Sequence, residues 1–364
     1  MGMDIKQPAL IISAYRHPEL TKGFSLSEWD LLVRQARRAG VLARLWYLLE
    51  RQQLLANIPL PALKHFESAK VYANQMRTSL NWEVHCIQQA LQELNLPLIF
   101  LKGAAYVLAG NDAALGRVFS DIDILVPKQS LMEVEQTLIF EGWKFGSIDA
   151  YDQMYYRKWM HEIPPMQHVQ RHTSIDVHHN ILPITSRFCP DSNKLLDNIN
   201  KIDGQNIWVL APEDRVLHSA VHLFHEGEFD HGFRDLTDLD LLIKEFANEE
   251  GFWLKLQNRA TELNQEIPLY YALRFTTKIL QTPVPVDVLE ITEAYQPNKL
   301  KRKVTDFVFL RALMPNHFTC SDTWTRYAHW FLYLRSHWLK MPWYLLIPHL
   351  SRKAWLRLSV KDQH

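Results

Sequence analysis

The chain reads as an α+β protein whose strands are confined to its middle third, residues 96–210. A helical N-terminal region over 1–95 precedes them and a helical C-terminal region over 211–364 follows. Two changes of apolar period set these limits: a short apolar run at 96–103 interrupts helical spacing, and helical spacing resumes after NIWVL at 206–210. Only 12 glycines in 364 residues, with long apolar-periodic stretches, favour helices over a β-sandwich or barrel. At 47% hydrophobic and 22% charged, the chain can bury a sizeable core and is not a disordered sequence.

In chain order, Ser27 to about Leu55 reads as one helix, with Ser27 as N-cap and Leu31, Ala39, Leu42, Leu45, Leu48 and Leu49 at helical spacing. A second helix is expected from about Pro61 to Leu94. LPLIFLKG at 96–103 reads as a buried strand that turns into a short helix over 104–108. SDIDILVP at 120–127 is a strand closed by Pro127, followed by a helix from about Gln129 to Glu141 that stops before Gly142. Four further strands are expected at Trp143–Phe145, Gln153–Trp159, Met166–Arg171 and Ser174–His179. The clearest later helices are APEDRVLHSAVHLF, opened by a proline and two acids, and FRDLTDLDLLIKEF.

Lys plus Arg and Asp plus Glu both number 40, which argues against broad nucleic-acid binding by the whole chain. The balance hides a polarity. From Lys299 onward there are 12 basic residues against three acids, a net +9 that leaves the first 298 residues at −9. Cys86, Cys189 and Cys320 are odd in number, widely spaced and outside any CxxC pattern, which suggests neither a disulfide framework nor a cysteine zinc site. The N-terminus lacks the pattern of a secretory leader, and no apolar run reaches the roughly 18 residues of a spanning helix, so a cytoplasmic location is expected.

Chemistry concentrates in the carboxylates. Asp121 and Asp123 are one residue apart on a strand, so both side chains point to one face while Ile122, Ile124 and Val126 point to the other. Two carboxylates this close repel unless a cation lies between them, and hard oxygen ligands suit Mg²⁺, with Mn²⁺ as the alternative ion. Asp176 sits between Ile175 and Val177 in SIDVHH and would project from the same side of a neighbouring strand. Upstream, Lys102-Gly103-Ala104 occupies a strand-to-helix turn, where backbone N–H groups and a lysine suit phosphate.

The run LKGAAYVLAGNDAALGRVFSDIDILV, followed by IDVHHN, resembles the DNA polymerase β-type nucleotidyltransferase superfamily. More narrowly it resembles the bacterial proteins grouped as uncharacterised nucleotidyltransferases. The resemblance implies a polymerase β-like mixed sheet with helices and places Asp121, Asp123 and Asp176 as catalytic ligands of two Mg²⁺ ions. It also implies nucleotide contacts at Lys102, Gly103, Ala104, Arg117 and Ser120, with His178, His222, Arg234 and Asp238 as substrate-side candidates. An NTP such as ATP would be the substrate, and its nucleoside monophosphate would pass to a hydroxyl of an acceptor that the sequence does not identify. Two features depart from the pattern: Ala104 stands where many members carry Ser, and 18 positions separate Gly103 from Asp121. They keep open a competing reading, a catalytically weak nucleotide-binding or regulatory protein on the same fold, docking at a membrane surface.

His218, His222 and His225 recur at i, i+4 and i+7 and share a helical face. That face suits a zinc site, a cleft wall or a packed interhelical network. Near the C-terminus, Trp324, Tyr327, Trp330, Phe331, Trp338, Trp343 and Trp355 interleave with Arg326, Arg335, Lys340, Arg352, Lys353 and Arg357. Rings and cations in this mixture over 324–358 fit a membrane surface, a stripe packed on the helical region, or base stacking.

Overall fold

The computed structural model describes residues 9–295, 298–348 and 350–352. The N-terminal helices are α1 (Leu10–Arg16), α2 (Leu26–Arg38), α3 (Leu42–Arg51) and α4 (Leu60–Leu91). The single helix expected from Ser27 to about Leu55 is therefore two. Ser25, not Ser27, caps α2, in a reciprocal pair in which Ser25 Oγ accepts from the Glu28 N–H and the Glu28 carboxylate accepts from the Ser25 N–H. Gly40, with φ of +70°, stops the helical run before α3 begins.

In the middle third follow β1 (Ile99–Phe100), α5 (Lys102–Leu108), β2 (Asp121–Leu125), α6 (Leu131–Phe140) and β3 (Trp143–Phe145). Next come α7 (Ala150–Trp159), β4 (Met166–His168), β5 (Ser174–His178), α8 (Ser192–Leu196), β6 (Ile199–Lys201) and β7 (Trp208–Leu210). The stretch expected as a strand at Gln153–Trp159 is the helix α7. Asp149 caps it by accepting from the Asp152 N–H, and the rings of Tyr155 and Trp159 meet at the i, i+4 spacing of a helix. Its aromatic residues had suggested a strand, because aromatics favour strands as well.

All seven strands form one mixed sheet in the order β3-β4-β5-β2-β1-β7-β6. Strand β2 runs antiparallel to β1 and parallel to β5, and β1 runs parallel to β7. The C-terminal helices are α9 (Pro212–His225), α10 (Gly232–Phe246), α11 (Phe252–Glu262), α12 (Glu266–Leu280), α13 (Val286–Glu293), α14 (Lys299–Ala312) and α15 (Thr325–Lys340). None of the described helices is long and apolar enough to cross a membrane.

Two apolar clusters sandwich the sheet. One face, carrying Ile122, Ile124, Ile175 and Val177, packs on α6 and the second half of α4. The other cluster runs from Ile11 to Leu332, takes in Leu125 and Val209, and contains buried residues of both the N-terminal and the C-terminal helices. The helical regions on either side of residues 96–210 thus share one core. Helix α4 serves both clusters, with Phe66 in the second and Val84 and Ile87 in the first, so its apolar face shifts along its length.

A buried charge network ties the three regions together. Asp238 of α10 pairs through one oxygen with Arg44 of α3 at 2.6 Å and through the other with Arg117, in the segment before β2, at 2.8 Å. Arg44 also donates to Thr237 Oγ1 and to the carbonyl of Ala113, both at 2.5 Å. Gly116, with φ of +64°, lets the same segment lie against the Ala43–Arg44 backbone, where a β-carbon would overlap main-chain atoms. Asp238→Asn would leave two guanidinium groups buried without their counter-charge. We expect a loss of about 3–5 kcal/mol of stability, read as a lower urea midpoint. A change below about 1 kcal/mol would show that the network does not hold the regions together.

Candidate functional site

Alternation along β2 and β5 sends Ile122, Ile124, Ile175 and Val177 to the α4–α6 side and Asp121, Asp123, Asp176 and His178, with Leu125, to the opposite face. The parallel register sets Asp123 directly opposite Asp176, and Asp121 opposite Ser174. A cavity of about 550 Å³ lies over this face. Lys102, Asp121, Glu162, Asp176 and His178 line it on the sheet side, and His218, His222, His225 and Glu226 line it from α9 and the residue after it. Tyr333, Ser336, His337 and Lys340 of α15 form a further wall.

Asp123 is the most enclosed of the three acids, at 4% exposure. Its Oδ1 accepts from Lys102 Nζ at 2.6 Å and lies 2.9 Å from His178 Nε2. Lys102, whose backbone has φ of +46°, stands where the chain turns from β1 into α5. The other imidazole nitrogen of His178, Nδ1, is 3.3 Å from Glu162, which an antiparallel bridge aligns with His178. Burial pushes the Asp123 carboxyl up, yet Lys102 and His178 prevail and hold it far below the usual carboxylate range. Burial also drives Asp176 up, and the negative charges of Asp123 and Glu162 add to it, so its pKa is pushed up to about 7. For His178 burial acts downward, but Glu162 and Asp123 outweigh it and raise the imidazole above its ordinary value.

A divalent cation fits these residues. Ligand atoms of Asp123, Asp176 and His178 all lie within 4.8 Å of one another, and two carboxylates with an imidazole are a donor set that a divalent cation takes. A second group, His161, Glu162 and His178, meets the same distance limit. Asp121 belongs to neither group. It lines the cavity, and its Oδ1 accepts from the neighbouring Ser120 hydroxyl at 2.7 Å.

The other residues singled out by sequence divide between cavity and core. Lys102, His178 and His222 line the cavity. Gly103 and Ala104 are buried and do not line it. A β-carbon on Gly103 would overlap the Arg117 guanidinium and the Phe119 ring, so the absent side chain makes room for these two residues. Ala104, at 2% exposure, packs in the sheet core, where a serine hydroxyl would lie among apolar groups. Arg117 is committed to Asp238. Ser120 is exposed and lines a separate groove with Asp121 and Arg171. Arg234 pairs with its neighbour Asp235 at 2.9 Å, and neither Arg234 nor the buried Asp238 lines the cavity.

The three histidines of α9 line the cavity, but no group of three metal donors among the described residues includes them. Burial pushes His218 and His222 down and takes His225 to about 3. Sequence reasoning missed Glu162 and Glu226. Both lie outside helices and named strands, where no periodicity marks a facing direction. Burial raises Glu226, but Lys340 and His222 prevail and hold its pKa at about 2.

The family described as uncharacterised nucleotidyltransferase matches residues 25–281. No curated protein matches the chain. Among solved structures, one described as an antigenic nucleotidyltransferase-like protein from Paracoccidioides brasiliensis is similar at 12% identity. The match covers 59% of this chain and 96% of that one, with a TM-score of 0.31.

The raised pKa of Asp176 has a signed consequence. Its folded-state value lies above the unfolded one, so the protonated form stabilises the fold fully below the unfolded value of 3.8, and this contribution is lost as pH rises through about 7. In metal-free buffer we expect this contribution to melting temperature to fall between about pH 4 and about pH 7, with Asp176→Asn lacking that fall. Mn²⁺ should stabilise the natural chain more at the higher pH, where the ligand is deprotonated. Identical pH profiles for the two proteins would refute the assignment.

Proposed function

The chain belongs to the uncharacterised nucleotidyltransferase family, and from that premise we propose that it is a Mg²⁺-dependent enzyme that moves a nucleoside monophosphate from an NTP to a hydroxyl acceptor. The observation that carries this reading is the register of Asp123 against Asp176, with Lys102 at 2.6 Å from the Asp123 carboxylate, beside a 550 Å³ cavity that Lys102 and Asp176 line. Asp123 and Asp176 would hold the metal, and Asp121 lines the same cavity. When bound, Mg²⁺ supplies charge neutralisation at the transferring phosphoryl group and acidifies a coordinated hydroxyl.

The reaction would form a bond from the acceptor oxygen to the α-phosphorus and break the bond to pyrophosphate. The chain's own residues supply the rest. Lys102 is the cation nearest the carboxylates, and moving its ammonium from Asp123 to a phosphate oxygen would keep one positive charge in the site throughout. His178 bonds to Asp123 from one side with Glu162 on the other, which fixes the carboxylate's direction. The imidazoles of α9 give the opposite wall hydrogen-bonding groups.

The competing reading, a nucleotide-binding protein with weak or no catalysis, draws support from the burial of Ala104 and the commitment of Arg117 to Asp238, which remove two expected phosphate contacts. Incubation with α-labelled NTPs, Mg²⁺ and a panel of hydroxyl acceptors separates the two. We expect label transfer that falls at least about 10²-fold in Asp123→Asn and Asp176→Asn. Nucleotide binding that requires Mg²⁺ but moves no label would favour the competitor.

A further inference from the structure

Helix α15 has two faces of different character. Ala328, Leu332 and Ser336, spaced four apart, are each 1% exposed and pack inward. On this side Arg335 donates to the Phe224 carbonyl at 2.7 Å and Lys340 pairs with Glu226 at 2.8 Å, joining α15 to α9 and the cavity. The outer side carries Tyr327, Trp330, Phe331, Leu334 and Trp338, at 62%, 62%, 40%, 37% and 59% exposure. Three- and four-residue steps align these five into one apolar stripe. Trp343 and Tyr344, 62% and 60% exposed, extend it past the end of the helix.

Scattered exposed rings need no explanation, but a continuous stripe of them on one helix face marks a contact surface. The helix lies outside the residues matched by the family, so the surface belongs to this chain's own C-terminal region. Trp355, Lys353 and Arg357 lie outside the described residues.

The charge beside the stripe identifies what covers it. Helices α14 and α15 are joined by residues 313–324, and the Arg335 guanidinium lies over the rings of Tyr271 and of Phe309 in α14. At the other end, Arg311 pairs with Asp322 and the Phe307 ring meets Trp324. On α15 itself the exposed Arg326 adjoins Tyr327, and α15 packs against α14, whose start is basic. That start carries Lys299, Lys301 and Lys303, all exposed.

We propose that the outer face of α15 lies on an anionic lipid bilayer, with the indole and phenol rings at headgroup level and the lysines of α14 against the lipid phosphates. Trp and Tyr are the side chains that favour this interface, having an apolar body and a polar edge. The described helices are too short or too polar to cross, so the contact is parallel to the surface. A second copy of the chain is a poorer occupant, because a two-fold contact across this face would oppose one basic patch to another. The inference is independent of the chemistry assigned to the carboxylates.

The test is flotation of the full-length protein with vesicles of phosphatidylglycerol and phosphatidylcholine, and with vesicles of phosphatidylcholine alone. We expect flotation with the anionic vesicles at low salt, loss of it at high salt, and a blue shift of tryptophan emission on binding. Replacing both rings, Trp330→Glu with Trp338→Glu, should cut partitioning at least about tenfold. An unchanged melting temperature would exclude misfolding as the cause, since both side chains are exposed. Changing Lys299, Lys301 and Lys303 to Glu should abolish the preference for anionic lipid. Failure to float at low salt, equal flotation of the ring variant, or sedimentation as a dimer that buries these tryptophans would overturn the proposal. Loss of nucleotidyl transfer would leave it standing.

Discussion

Asp238 is the group on which the arrangement of the molecule turns. Its carboxylate is 1% exposed and receives one guanidinium from the N-terminal helices and another from the segment that leads into β2. A charge so far from water is tolerable only when its partners are in place, so the three regions are fixed relative to one another or the energy of all of them rises. The constraint continues to the cavity. Arg117, held by Asp238, lies over Gly103 at the start of α5, and the preceding residue, Lys102, directs its ammonium to Asp123.

The cavity itself is governed by how few positive charges meet its acids. Asp123 takes both nearby cationic partners, and Asp176, across one strand spacing, is lifted by burial first and then by the charges of its neighbours. This unevenness distinguishes a site with unmet demand for a cation from an ordinary ion-pair network, in which each acid has its base. On the far wall, Lys340 of α15 satisfies Glu226, so the C-terminal helix completes the cavity on the side opposite the sheet. The same helix turns its rings outward, and one element thereby borders both the interior site and the exposed apolar surface.

Legibility in the sequence followed the range of the interaction. Alternation along SDIDILV and SIDVH gave the facing direction of all three acids, because side-chain direction on a strand depends on the strand alone. Helices α9 and α10 were legible from their periodicity and first-turn residues. Where two local preferences competed, the reading failed: the aromatics of α7 favour a strand as well as a helix, and the cap at Asp149 decided it. The break at Gly40 does not show in the spacing of Leu31, Ala39, Leu42, Leu45 and Leu49, which stays in phase, although the residues that α2 buries, Trp29, Leu32, Val33 and Ala36, lie on another face.

By itself the sequence determined an α+β chain, the acids Asp121, Asp123 and Asp176 on one sheet face, and a basic, aromatic C-terminal region. It could do so because periodicity and composition are properties of a segment. Only the tertiary structure decided that Asp123 stands opposite Asp176, that Glu162 joins them, that Arg117 is committed to Asp238 instead of lying open to phosphate, and that α15 walls the cavity. These outcomes depend on which strands become neighbours and which charges are buried together, and both are set by packing between residues far apart in the chain.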